Sequence, residues 1–188
     1  MGAGSTRVAH CGFTLQELMI TLAIGGVLTT GGIGMYGQAQ ENKMVTSVNA
    51  FVTHLSLARS EAVRRGTHIV FCPSANGTDC SAPDGLNWWH DGAILFSDEN
   101  ANRNRDGDEP LIHHFSASSD TTIKSSPGSS RMVYIGDGMT AVTNATFTFC
   151  DNRGTRAARY VIVSRTGRAR TAKTPPDGRA DAPFEVCT

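Results

Sequence analysis

From Phe13 to Gly37 the chain reads FTLQELMITLAIGGVLTTGGIGMYG, apolar or small almost throughout, with Glu17 as the one charge. At the rise of an α-helix this run is about 37 Å long, enough to cross a bilayer. It is too long for the apolar core of a secretory signal peptide, and no A-x-A cleavage pattern follows it. After Gly37 the pattern becomes amphipathic. Met44, Val48, Phe51, Val52, Leu55, Ala58 and Ala62 recur at steps of three and four, the spacing of one helix face. Arg59, Glu61, Arg64 and Arg65 are expected on the opposite face, and Gly66 ends the run. The pattern predicts one helix from about Phe13 to Arg65, with a membrane-spanning half over 13–37 and an amphipathic half over 38–66.

From Thr67 onward the period changes. THIVFC, GAILFS, LIHHF, TTIK, RMVYI, ATFTFC, RYVIVS and RARTAK are short, rich in β-branched and aromatic residues, and separated by Gly, Pro, Asn and Asp clusters. They predict seven or eight antiparallel strands over 67–188. The fold class expected is therefore α+β, a long N-terminal helix on a β-sandwich-like body. No linker or internal repeat interrupts it.

An apolar run that contains a carboxylate needs an explanation, because an unpaired Glu17 in hydrocarbon costs several kcal/mol. The stretch GFTLQELMITLAI resembles the prepilin signature of type IV pilins and type II secretion pseudopilins: Gly, Phe-Thr-Leu, Glu at the fifth place after the Gly, then an apolar helix. The resemblance implies a leader over 1–12, cleavage by a prepilin peptidase after Gly12, and methylation of the new N-terminal Phe13. It also implies that Glu17 pairs with the amine of a neighbouring subunit's Phe13 in a filament. Major pilins often carry a proline in the second half of this helix; here Gly25, Gly26, Gly31, Gly32, Gly34 and Gly37 stand instead. Helix first, then strands, with FCPS opening the body and a late FC before a basic hairpin, resembles the GspH/FimT family of minor pilins and pseudopilins. That resemblance implies a single-pass protein of the bacterial inner membrane, its body in the periplasm. It further implies assembly with other pilin or pseudopilin subunits.

Five cysteines are present. Cys11 would leave with the leader. The other four allow three pairings, and the local ones, Cys72–Cys80 and Cys150–Cys187, are favoured. In each, one cysteine closes or follows an apolar run and the other lies in a loop or tail. No C-x-x-C spacing points to zinc or redox chemistry, and disulfides imply an oxidising compartment.

Charge changes the picture further. The chain carries 17 basic and 17 acidic residues, a formal balance of zero. The balance is uneven, with nine acids against Arg103 and Arg105 between Asp79 and Asp120. After Cys150, eight basic residues face four acids. Within SRTGRARTAK, Arg165, Arg168, Arg170 and Lys173 are gathered on a predicted hairpin, with Thr166-Gly167 as a two-residue turn. Arg168 and Arg170, two apart on a strand, share a face. Arg153, Arg156 and Arg159 extend the patch. Such a group either guards a solvated edge strand against aggregation or binds phosphate with its guanidinium forks. The stretch GRAR, Gly167 to Arg170, resembles the G-R-x-R motif of FimT-type minor pilins, which bind DNA during natural transformation. That likeness implies non-specific duplex DNA as a partner.

The remaining candidates point elsewhere. Asn102, Asn104 and Asp106 before Gly107 and Asp108 look like a calcium loop, but the twelfth position counted from Asn102 is His113 where a bidentate Glu is needed. Asx side chains that cap their own turns are the alternative. His113 and His114 are adjacent on a strand and face opposite ways. Trp88 and Trp89 read as core or rim packing. No nucleophile elbow, phosphate loop or zinc pattern occurs, so neither an enzyme nor a cofactor is expected. Two readings remain: a DNA-binding minor pilin of a type IV pilus, and a structural H-type pseudopilin without DNA binding.

Overall fold

The computed structural model describes residues 14–81, 88–116, 120–141, 144–175 and 187; within it the side chains of 27–36 are not described. It has one long helix, α1 (Leu15–Arg65). Eight strands follow among the described residues: β1 (His68–Pro73), β2 (Ala93–Asp98), β3 (Leu111–Phe115), β4 (Thr122–Ser125), β5 (Met132–Tyr134), β6 (Ala145–Cys150), β7 (Arg159–Val163) and β8 (Ala169–Ala172). Each coincides with one of the eight runs read from the sequence, and the architecture is the expected α+β one.

The chain divides into two compact units, residues 1–39 and residues 40–188. In the first, the helix opens at Thr14, whose hydroxyl accepts the backbone N–H of Glu17 at 3.3 Å. This is an N-cap that satisfies one of the free donors of the first turn. The expected spanning stretch, 13–37, falls partly outside the described residues. Among the described residues, no helix is long and apolar enough to cross a membrane.

In the second unit the strands form two four-stranded antiparallel sheets, in the orders β3-β2-β1-β5 and β4-β6-β7-β8. Strand β6 shows the half-buried alternation that sets its register. Ala145, Phe147 and Phe149 are buried, whereas Thr146 and Thr148 are only partly covered. Both sheets and the second half of α1 share one core. Met44, Val48, Phe51, Leu55, Ala58 and Ala62 from the helix meet Ile69, Phe71 and Leu95 from one sheet and Phe147, Phe149, Val161 and Val163 from the other. Phe51 sits at its centre, with ring centroids 4.7 to 5.8 Å from Phe71, Trp89, Phe147 and Phe149. Trp89 is buried and donates its indole N–H to Ser125 Oγ at 3.2 Å. Trp88 pairs with Lys124 at the rim, the ammonium 5.3 Å from the ring centroid.

A second link ties helix to sheet. Glu41 near the start of this unit accepts from Arg153 at 2.9 Å and from Arg159, and Arg153 also holds Asp151 at 2.6 Å. The two guanidinium groups hold the Glu41 carboxyl below its ordinary range, the Arg153 hydrogen bond more than the Arg159 one. Disulfides join Cys72 to Cys80 and Cys150 to Cys187. The first ties the end of β1 to its following loop, and the second ties the end of β6 to the last residues of the chain.

Candidate functional site

Strand β8 is the outer strand of its sheet, paired only with β7 among the described residues. An edge strand next to a tight turn projects its side chains into solvent, and here those side chains are cationic. Arg165, Arg168, Arg170 and Lys173 are all exposed. Among the described residues none of the four makes an ion pair or a side-chain hydrogen bond. The register places Arg170 opposite Ile162 and Ala169 opposite Val163. Directly opposed residues share a face. Ala169, like Val163, therefore turns toward the core, and Arg168 and Arg170 occupy the alternate, outward positions.

The turn differs from the expected one. Gly167 N donates to Ser164 O at 2.9 Å and Ser164 N donates to Arg168 O at 3.0 Å, so the loop has three residues, Arg165, Thr166 and Gly167. Gly167 has φ +77°, whereas Arg165 and Thr166 have no positive φ. This is a turn followed by one left-handed residue, a hairpin connection that glycine favours at its third place. Arg165 consequently sits inside the turn, not beside it.

The tip is held from the other sheet. The loop after β5 turns back at Gly138, whose N–H donates to Ile135 O at 2.8 Å. Its Thr140 N–H then donates to Arg165 O at 3.0 Å, and its hydroxyl lies 3.4 Å from the same oxygen. A Cβ on Gly167 would overlap the carbonyl oxygen of Gly138 and come within 3.3 Å of Arg59 Nε. The cationic hairpin is thus clamped against a loop of the opposite sheet.

Arg59 was expected to face solvent. It is instead half-buried and lines the groove between α1 and the hairpin. The reason is local: Gly138 and Gly167 have no side chains, and a Cβ on either would approach Arg59 Nε to 3.2 or 3.3 Å. Helical periodicity gives the face of a residue but not the gap that two loop glycines leave for it. Arg153 also departs from its expected place in the basic patch. Its guanidinium is held by Asp151 and Glu41, so it braces the helix against the body. Arg159 is engaged by the same Glu41. Arg156, on a short 3-10 turn over Thr155–Ala157, remains exposed.

The polar loop after β2 is anchored one turn earlier than the sequence count assumed. Asp98 is fully buried and accepts the backbone N–H groups of Asn102 and Arg103, at 3.2 and 2.9 Å. Glu109, not His113, is the twelfth residue counted from Asp98, and it accepts from Glu99 N and Asp106 N, each at 3.0 Å. Asn100 and Asn102 aim their amides at Asp106. These carboxylates are engaged by the loop's own donors. Among the described residues no cluster of three or more His, Cys, Asp or Glu is placed to hold a metal ion. His114 lies against Gly77, and His113 stands 4.5 Å from the Phe115 ring.

At the other end of the chain, Gly12 and Phe13 lie outside the described residues. Glu17 is exposed in the first turn of α1, where a carboxylate is favoured by the helix dipole. Leu15, Leu18, Met19, Ile20, Leu22 and Ile24 are more than half exposed. An apolar surface of this extent on an isolated chain marks a site that another molecule or a bilayer covers.

Comparison with known proteins agrees with this arrangement. The family model of Type II transport protein GspH matches residues 47–167, and that of the prokaryotic N-terminal methylation motif matches residues 7–33. Among solved structures, the type IV minor pilin FimU of Pseudomonas aeruginosa superposes with a TM-score of 0.56 at 18% identity, covering 70% of this chain and 89% of that one. A second crystal form of FimU gives 0.51 at 18% identity, covering 72% and 91%. The minor pseudopilin EpsH of the Vibrio cholerae Type 2 Secretion System gives 0.47 at 10% identity, covering 69% and 96%. No curated relative matches in sequence. With its methylation motif, its pilin fold and a match across most of the body, the chain belongs to the GspH family and is a minor pilin or pseudopilin.

Proposed function

We propose that this minor pilin binds duplex DNA without sequence preference through the β7–β8 hairpin, and that it does so as a subunit of a type IV pilus used for DNA uptake. The observation that carries this reading is the set of exposed cations Arg165, Arg168, Arg170 and Lys173, none with an ion-pair partner among the described residues. Guanidinium forks left open match phosphate oxygens, and contacts to phosphate carry no sequence information. Gly167 supports the site by fixing the turn, and Arg156, just before β7, adds a cation at the open end of the hairpin, where Tyr160 pairs with Ala172 beside Lys173. Arg153 contributes through the brace to Glu41 and Asp151.

Membrane attachment and assembly complete the reading. The leader 1–12 is removed by a prepilin peptidase after Gly12, Phe13 is methylated, and 13–37 spans the inner membrane with 67–188 in the periplasm. On extraction into the filament, Glu17 pairs with a neighbour's N-terminal amine while the exposed apolar face of α1 is covered by neighbouring helices. Glu17→Ala is expected to leave the chain in the membrane but absent from filaments; normal incorporation would remove the pairing from the account.

The family match to a type II transport protein favours a second reading, an H-type pseudopilin with no nucleic-acid partner. A gel shift decides between them. The full chain in neutral detergent should retard unrelated duplexes to the same extent, and Arg168→Gln with Arg170→Gln should retard them far less. No retardation by the natural chain would select the pseudopilin.

A further inference from the structure

Between α1 and the hairpin runs a groove of about 630 Å³, with Leu55, Arg59, Val63 and Arg64 on the helix side and Gly167 and Arg168 on the other. Of its cations, Arg64 is already paired, donating its Nε to Glu61 at 3.1 Å, and Glu61 also holds Arg65 at 2.8 Å. The Arg64 bond is the first cause of its lowered pKa, about 2. Arg59 is different. It is half-buried, and its guanidinium makes no ion pair or hydrogen bond among the described residues.

None of its nitrogens is among the buried atoms left without a partner, so the guanidinium meets solvent in the groove and can take an anionic acceptor there. The position is also built. Gly138 with φ +80° and Gly167 with φ +77°, from loops of the two sheets, leave the space through which the Arg59 side chain passes. The same Gly167 begins the GRAR stretch, so one turn residue both seats Arg59 and presents Arg168.

We infer that Arg59 is a phosphate-binding residue of the hairpin site, and that the DNA backbone lies in the groove between α1 and β8 with Arg59 and Arg168 on its two walls. This rests on the DNA-binding reading and specifies it: the groove, not only the outer face of the sheet, is where the backbone lies. Charge complementarity selects the occupant. The groove offers two guanidinium groups without an ion-pair partner, Arg59 and Arg168, and no carboxylate is among its lining residues.

The test uses the full chain in neutral detergent, titrated with duplex DNA at several salt concentrations. The proteins compared are the natural chain, Arg59→Gln, Arg59→Lys and the Arg168→Gln/Arg170→Gln pair. Losing one phosphate contact weakens binding equally for all sequences and lowers the slope of log K against log salt by about one. Arg59→Gln should show that loss, and Arg59→Lys, which keeps the charge, should keep the natural slope. If Arg59→Gln binds like the natural chain while the hairpin pair loses affinity and slope, the hairpin stands and the groove is overturned. If both Arg59 variants lose affinity without a change of slope, Arg59 acts through shape and the inference fails. If the natural chain does not bind DNA, the underlying reading fails and this one with it.

Discussion

Replacing Gly167 with alanine separates the geometry of the hairpin from its charge, because every cation is kept. Two effects add. At φ +77° an alanine occupies the left-handed region, which costs about 1–2 kcal/mol. The new methyl would also overlap the carbonyl oxygen of Gly138, so the loop after β5 must withdraw from the tip. Withdrawal breaks the 3.0 Å bond from Thr140 N to Arg165 O, worth about 1 kcal/mol. The sum is about 2–3 kcal/mol, and at this chain length it lowers Tm by about 4–12 °C. Gly66→Ala is the control. Gly66 has φ +66° and closes α1 through its N–H to Ala62 O at 2.8 Å, but a Cβ there meets nothing within 4 Å. It should lose only the backbone part, about 1–2 kcal/mol. Thermal unfolding followed by circular dichroism reads both. Equal losses in the two variants would show that the contact between the two loops contributes nothing, and the clamp on the hairpin would have to be abandoned.

Other consequences are checked as simply. Glu41→Gln removes the charge shared by Arg153 and Arg159 and one of the two acceptor oxygens, and should destabilise by about 1–2 kcal/mol, the pairs being part-exposed. Since Glu41 is held below its unfolded pKa, that difference should be full at neutral pH and vanish as pH falls through the folded value; a constant gap in urea melts from pH 7 to pH 3 would contradict it. His54, stacked 3.6 Å from the Phe115 ring, is pushed down to about 4, by burial first and by His113 second. Its neutral form is therefore native, so stability is full above the unfolded value of 6.5 and falls as pH drops from there to about 4. The fall should be about 1–2 kcal/mol after solvent screening, and His54→Phe should flatten it; an unchanged acid limb would refute the assignment. Cys150→Ala with Cys187→Ala opens a loop with a sequence separation of 37 and should cost about 4 kcal/mol by chain entropy. A melt unchanged by the pair would show that the tail is held by other contacts.

Local order was legible in the sequence and long-range order was not. The alternation of Ala145, Phe147 and Phe149 with threonines announces a half-buried strand, and the steps from Met44 to Ala62 announce the buried helix face. Both signals lie within a few residues. The cysteine pairs were legible for another reason, as each joins a strand end to a loop or tail. What escaped depends on residues far apart in the chain. Arg153 reads as one more cation of a basic tail until Glu41 is brought beside it. Arg59 reads as solvated until Gly138 and Gly167 meet around it. The turn escaped for another reason. A glycine supplies positive φ in two-residue and three-residue loops alike, and only the Ser164–Arg168 hydrogen bond distinguishes them. In the polar loop the Asx side chains do cap their own turns, Asn100 and Asn102 accepting the N–H groups of Asn102 and Asn104, but the anchor Asp98 escaped because it closes a buried strand.

The central claim is that the open cations of the β7–β8 hairpin bind DNA phosphates, and the salt dependence of affinity tests it most directly. Titrating the full chain with duplex DNA should give a negative slope of log K against log salt, of which each phosphate contact contributes about −0.9. Three hairpin contacts give about −2.7, and Arg59 brings the total to about −3.6. Substituting glutamine for Arg168 and Arg170 should take away about two units of slope while leaving the thermal melt unchanged, because exposed charges contribute little to stability. A double variant that keeps both the affinity and the slope of the natural chain would contradict the account.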